Sequence, residues 1–179
     1  MEDKKLIEAC CKKSEKAQKE IYERYQQQMF RICYRYLGNV QDAEDVLVEG
    51  FLKIFDKIGT FQYRSAASFG NWMKTIMINE SLMLLRRNRH LQFSEHDLII
   101  EHDSTVEFEM ELKDIHKLIS NMPDGYRTIF NMFVVEGYSH NEIAEMLEIS
   151  LQTSKSQLSR ARRFLSKMIN DLNYERRAV

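Results

Sequence analysis

Proline is nearly missing from this chain. Among 179 residues there is one, Pro123, so almost nothing in the sequence breaks a helix. Glycine is scarce too, and its six residues leave few places for the left-handed turns that hairpins need. Together the two shortages predict an all-α chain. Cysteine amounts to Cys10, Cys11 and Cys33, an odd number without zinc-ligand spacing. Buried or idle thiols in a reducing compartment are therefore expected, rather than a redox switch. The histidines are scattered, and His96 and His102 lie in a polar stretch without partner cysteines, so neither a metal nor a cofactor is expected. No apolar run approaches the roughly 20 residues of a membrane span. Lys4 and Lys5 are followed only by Leu6 and Ile7 before charge resumes, unlike a secretory leader, so a cytoplasmic location is expected. No internal repeat or low-complexity segment stands out.

Charge is plentiful, at 30% of residues, but it balances to a net −1, which argues against a general nucleic-acid coat protein. Its distribution is more informative. From Ser150 onward Lys155, Arg160, Arg162, Arg163, Lys167, Arg176 and Arg177 face only Asp171 and Glu175. Between Ser94 and Asp114 the order reverses: Glu95, Asp97, Glu101, Asp103, Glu107, Glu109, Glu111 and Asp114 face only Lys113. Arg86, Arg87 and Arg89 close the segment before that. The order basic, acidic, basic points to two small nucleic-acid-facing helical domains, 1–90 and 106–179, joined by an acidic linker over 91–105.

Apolar periodicity predicts helices over Leu6–Cys11 and Gln18–Leu37. The second carries Ile21, Tyr25, Met29, Ile32 and Tyr36 on one face and ends at Gly38-Asn39. The next, Val40–Ile58, buries Leu47, Phe51, Ile54, Phe55 and Ile58. Asp42, Asp45, Glu49 and Asp56 fall on the opposite side, with Val48 and Leu52 beside them. A solvated face accounts for the acids; the two apolar side chains outside the core arc fit a protein-docking face instead. Both readings stay open from the residues alone. The loop Gly59–Gly70 holds Phe61, Tyr63 and Arg64, either tucked under the core or able to stack on unpaired bases. A helix over Phe69–Arg89 places Trp72, Ile76 and Met83 on one side with Asn79 between them, widened by Leu82 and Leu85. Asn79 is expected to bond inside the domain, a functional role being the alternative. A further helix carries Phe108, Leu112, Ile115, Ile119 and Met122. Pro123 then opens another at its first position, with Tyr126, Ile129, Phe130 and Phe133, ending at Gly137.

The stretch Ser139–Arg163 has the form of a helix-turn-helix. Ser139 and Glu142 make a capping box, and Ile143, Ala144 and Leu147 give the first helix its apolar face. Glu148, Ile149 and Ser150 make the break, and Ser150 can cap the second helix. There Leu158, Ala161, Leu165 and Met168 recur at helical spacing. The other face carries Gln152, Lys155, Ser156, Ser159, Arg162, Arg163 and Ser166. Cations there can meet phosphates, and amides and hydroxyls can reach base edges in the major groove. Two antiparallel helices of an ordinary bundle would show the same local pattern.

Taken in order, four stretches resemble the sigma-70 superfamily of RNA polymerase sigma factors, and best its small extracytoplasmic-function (ECF) group. They are Ile21–Tyr25; Asp42–Phe51; Phe69–Met73 with Asn79 and Arg86-Arg87; and Met122–Arg127 with Glu142–Ala144 and Leu158–Arg162. The resemblance covers roughly Ala17 to Met168. It implies sigma regions 2 and 4, and promoter-specific initiation by a subunit that is itself no enzyme and takes no small-molecule substrate. Asp42, Asp45, Val48, Glu49 and Leu52 would dock on the clamp of the largest core polymerase subunits. Phe61, Tyr63, Arg64, Asn79, Arg86 and Arg87 would hold the melted −10 strand, a flipped base entering the Gly59–Gly70 loop. Gln152, Thr153, Lys155, Ser156, Ser159, Arg160, Arg162 and Arg163 would read the −35 element. The acidic linker would thread the polymerase channel. A membrane-linked anti-sigma factor would hold the free chain inactive by covering the same faces. The sequence departs from the family pattern at Val48, Met83, Glu148, Ser154 and Gln157. A stand-alone regulator would need a dimerising heptad or ligand pocket, neither of which is evident. A nuclease would need Asp42, Asp45 and Glu49 to gather a metal or a histidine partner, and they have none in sequence.

Overall fold

A computed structural model describes the backbone of residues 2–88 and 118–177, with side chains over 4–65, 67–88 and 118–171. The linker, the helix around Phe108 to Ile115 and the acidic run from Glu95 to Asp114 lie outside the described residues. Every regular element described is helical. The chain divides into two compact units, Met1–Arg87 and Asn88–Val179.

In the first unit, caps set the helix limits. Helix α1 spans Glu2–Cys11. Ser14 then accepts a bond from the Ala17 amide and starts α2, Glu15–Leu37, which ends where Gly38 turns left-handed (φ 76°). Asn39 caps α3, Val40–Lys57, by accepting from the Asp42 amide at 2.8 Å, and its own amide group donates to the Asp42 carboxylate at 2.7 Å. A 3-10 turn, Ile58–Thr60, follows. Ser65 and Ser68 exchange side-chain bonds with each other's backbone at the start of α4, Ala66–Arg87. Helices α2, α3 and α4 pack on one another, and α1 lies against α2 and the 3-10 turn.

The core of this bundle is Ile21, Met29, Cys33 and Tyr36 of α2, Phe51 and Ile54 of α3, and Phe69, Met73, Met77 and Ile78 of α4. Gly50 lets α3 approach α4: a Cβ there would collide with the Met77 sulfur. Lys53 of α3 pairs with the buried Glu80 of α4 across the same contact. Burial raises the Cys10 thiol to about 11 and the Cys33 thiol to about 12, so both are protonated and unreactive at neutral pH, while Cys11 is exposed.

In the second unit a helical turn, 118–120, leads through Pro123 into α5, Asp124–Phe130. Pro123 stands one place before the helix rather than at its first position. The last turns widen into a π turn, Asn131–Val135, closed by the Glu136 amide on the Asn131 carbonyl at 2.9 Å. Gly137 (φ 79°) ends the run. Helix α6 spans His140–Leu147 and α7 spans Leu151–Arg177. Helices α5 and α6 both pack on α7 through Ile129, Met132, Ile143, Leu147, Leu158 and Ala161. Arg127, Thr128, Asn131, Ser154 and Gln157 are buried among them. The sequence pattern does not announce so polar a core.

Candidate functional site

Three surfaces carry the candidate residues. The first is the outer face of α3. Asp45 and Glu49 are exposed, and Val48 and Leu52 beside them are 54% and 60% exposed, large apolar side chains that the fold leaves in water. Asp42 is half-buried and engaged with Asn39, so part of its role is to start the helix. Next to this face a cavity of about 690 Å³ opens between α2 and α3, lined in part by Tyr22, Phe30, Arg31 and Val48.

The second surface is on α4, and here one expectation fails. Asn79 is exposed, and among the described residues no hydrogen bond ties its side chain into the domain. Met83 is 50% exposed, and Trp72 and Ile76 are half-buried. The stripe expected to be core faces outward, and the core is made by Phe69, Met73, Met77, Ile78, Leu82 and Leu85. The reason is that α4 is apolar on both sides, so its periodicity does not say which side is inside. The outward arc therefore joins Trp72, Ile76, Asn79 and Met83 to the exposed Arg86 and Arg87. From Trp72 to Arg87 it runs about 22 Å at the α-helical rise. At its start Phe61 packs on Trp72 (ring centroids 5.1 Å) and on Phe69 (5.2 Å). The loop aromatic is thus anchored to the core and still half-exposed, while Tyr63 is half-buried and Arg64 exposed. Sequence reasoning left Trp72, Ile76 and Met83 out of this surface.

The third surface is the helix-turn-helix. The capping box is formed: Ser139 accepts from the Glu142 amide, and the Glu142 carboxylate accepts from the Ser139 amide at 2.7 Å. The Ser139 amide and hydroxyl, both donating to the carboxylate, hold the Glu142 carboxyl below its ordinary range. Glu148 takes the left-handed conformation (φ 56°, ψ 40°) without being glycine. Its amide bonds to the Glu145 carbonyl and the next amide, of Ile149, to the Ala144 carbonyl at 3.0 Å, a tight helix ending. Ser150 caps α7 through the Thr153 amide (2.9 Å) and also bonds the Thr153 hydroxyl. Thr153 thus serves the cap. Ser156 is half-buried and bonds back to the Thr153 carbonyl, and Arg160 is half-buried and already engaged. The exposed row is Gln152, Lys155, Ser159, Arg162 and Arg163, brought onto one arc of α7. Ser154 lies on the buried side and bonds His140 Nδ1 at 2.9 Å, tying α6 to α7.

Residues 21–91 match the family described as Sigma-70 region 2, and residues 112–165 match Sigma-70, region 4. The ECF RNA polymerase sigma factor SigW of Bacillus subtilis is 27% identical over 94% of this chain and 97% of its own length. The RNA polymerase sigma-H factor of Pseudomonas aeruginosa is also 27% identical, over 96% and 95%. Among solved structures, the sigma factor RpoE of Bartonella quintana, in complex with the anti-sigma factor NepR, has a TM-score of 0.53 at 22% identity, covering 85% of this chain and 96% of that one. CnrH in complex with the cytosolic domain of CnrY has a TM-score of 0.50 at 18% identity, covering 93% and 96%. At those identities the two structures speak to the fold, which they share.

Proposed function

The chain belongs to the sigma-70 family, in its ECF group, and directs promoter-specific initiation of transcription with core RNA polymerase; from this premise we propose how its surfaces divide that work. The outer face of α3, with Asp42, Asp45, Val48, Glu49 and Leu52, docks on the clamp of the largest polymerase subunits. The observation that carries this is the exposure of Val48 and Leu52 among acids, because a merely solvated face has no use for them. The loop residues Phe61, Tyr63 and Arg64 and the outward arc of α4, with Trp72, Asn79, Arg86 and Arg87, hold the melted −10 strand. Half-exposed aromatics followed by cations suit single-strand capture. The exposed row of α7 enters the major groove at the −35 element.

In this reading residues 1–90 and 106–179 are the working domains, 91–105 links them, and the chain works in the cytoplasm without catalysing a step. An anti-sigma factor covers the same faces in the free state, by analogy with the complexes named above. The experiment is run-off transcription by purified core polymerase, with and without the chain, on fragments of the source genome. Discrete chain-dependent starts are expected, and they give the promoter sequence. No transcript, together with a specific duplex shift by the chain alone, would make it a stand-alone regulator instead.

A further inference from the structure

His140 is not part of the exposed row of α7, yet the fold builds a small cationic cluster around it. Its ring is half-buried and stacks on Phe133 of the π turn, with centroids 4.4 Å apart and planes 28° from parallel. The Arg162 guanidinium lies over that same Phe133 ring at 5.9 Å. Nδ1 is occupied by Ser154 at 2.9 Å, which fixes the ring and leaves Nε2 as its second hydrogen-bonding atom.

The charges facing the ring are of one sign. From α7 they are Lys155 and Arg162, both exposed. The π turn presents the uncharged Phe133. On α6 itself the first-turn acid, Glu142, is committed to Ser139 by the capping box. Burial first, then the charges of Lys155 and Arg162, hold His140 below its ordinary value of 6.5. Among the described residues Nε2 has no hydrogen-bond partner, and it lies on a fixed imidazole beside the two exposed cations of α7, so the cluster lacks an anion.

We propose that His140 is a ligand for a backbone phosphate of duplex DNA, held by Phe133 and Ser154 and flanked by Lys155 and Arg162, so that duplex binding takes up a proton. This rests on the reading of α6 and α7 as the duplex-binding element. The phosphate offsets the two cations and accepts the Nε2 hydrogen bond, so it favours the imidazolium. It also gives the complex a contact from α6, which sets the angle at which α7 meets the groove, with no sequence information of its own. The direction of the linkage follows. Because the bound state holds the proton more tightly, affinity is greatest below the free-state value. It falls as pH rises through the free and bound values, and is level above both.

The test is an NMR titration of the histidine rings in the full chain, alone and with a mixed-sequence duplex at low salt, about 50 mM. His140→Asn assigns the signal. The expected result is a rise of about one unit on adding duplex, matched by a roughly tenfold loss of duplex affinity across that window as pH rises. The His140→Asn chain should lack that pH-dependent part. If the amides of Gln152 and Ser159 shift on adding duplex while the His140 titration stays put, the phosphate ligand is overturned and duplex binding by α7 stands. If the duplex does not bind at all, both fall. If a poly-glutamate peptide moves the titration and the duplex does not, the cluster belongs to an acidic protein partner and the proposal is overturned.

Discussion

At Glu148 the backbone adopts a conformation that costs a side-chain-bearing residue about 1–2 kcal/mol. Glycine would avoid that penalty and lose about 0.5–1 kcal/mol in backbone entropy. Glu148→Gly should therefore stabilise the second unit by about 0.5–1 kcal/mol, read as a higher urea or thermal midpoint, with duplex binding unchanged. A lower midpoint would mean that the Glu148 side chain contributes a contact of its own. Arg127 makes the opposite kind of prediction. It is 4% exposed, donates to the carbonyls of Ser120 (3.0 Å) and Met122 (2.8 Å), and pairs with Asp124. It ties the turn around Pro123 to α5 and is not one of the candidate surface residues. Removing a buried, bonded charge costs about 3–5 kcal/mol. Arg127→Ala should lower stability by about that much. Arg127→Lys should restore little, because an ammonium lacks the planar fork that reaches three acceptors. A mild loss in the alanine variant, seen by chemical denaturation, would refute the bracing role.

Among the elements, α7 is where a charge prediction can be made quantitative. Each cation taken away from a phosphate lowers the salt dependence of duplex binding by about 0.9, so alanine at Arg160, Arg162 and Arg163 should lower the log–log slope by about 2.7. A drop near 1.8 would mean that two of the three meet phosphate, and Arg160→Ala alone, with an unchanged slope, would then mark the half-buried, engaged Arg160 as the structural one. An unchanged slope would remove all three from the interface. The elements also differ in how openly their sequences declare them. Helix α3 was legible because its apolar arc and its acids lie on opposite sides, so Val48 and Leu52 stand out as misplaced. Helix α4 was legible as a helix but not in orientation. With apolar residues on both arcs, nothing local separates Met77, which meets Gly50, from Met83, which meets solvent. The helix-turn-helix was legible from its caps, Ser139 with Glu142 and Ser150. The π turn was not: it brings Phe133 against His140, a contact between elements that periodicity does not carry. In the sequence Ser154 shows only as a departure from the family pattern; its bond to His140, fourteen positions away, is tertiary and leaves no periodic trace.

For the whole molecule the question is whether docking can be removed while both units stay folded and the second still binds duplex. Asp45 and Glu49 allow that test because both are exposed and neither caps a helix. Asp42 does not, since its carboxylate is bonded to Asn39 at the start of α3. Asp45→Arg with Glu49→Arg turns an acidic docking face basic. Like charges brought together at an interface cost several kcal/mol, so affinity for core polymerase should fall at least about 100-fold. Exposed substitutions on a helix change stability by about 0.5 kcal/mol or less, so the thermal midpoint should stay close to that of the parent chain. The salt slope of duplex binding should not move, because the arginines that set it lie in the other unit. Titration against core polymerase, thermal melting and duplex binding read the three quantities separately. Lost polymerase binding with a lowered midpoint would place Asp45 and Glu49 in the fold rather than on a docking face. Retained binding with an unchanged midpoint would move the docking surface off α3 altogether.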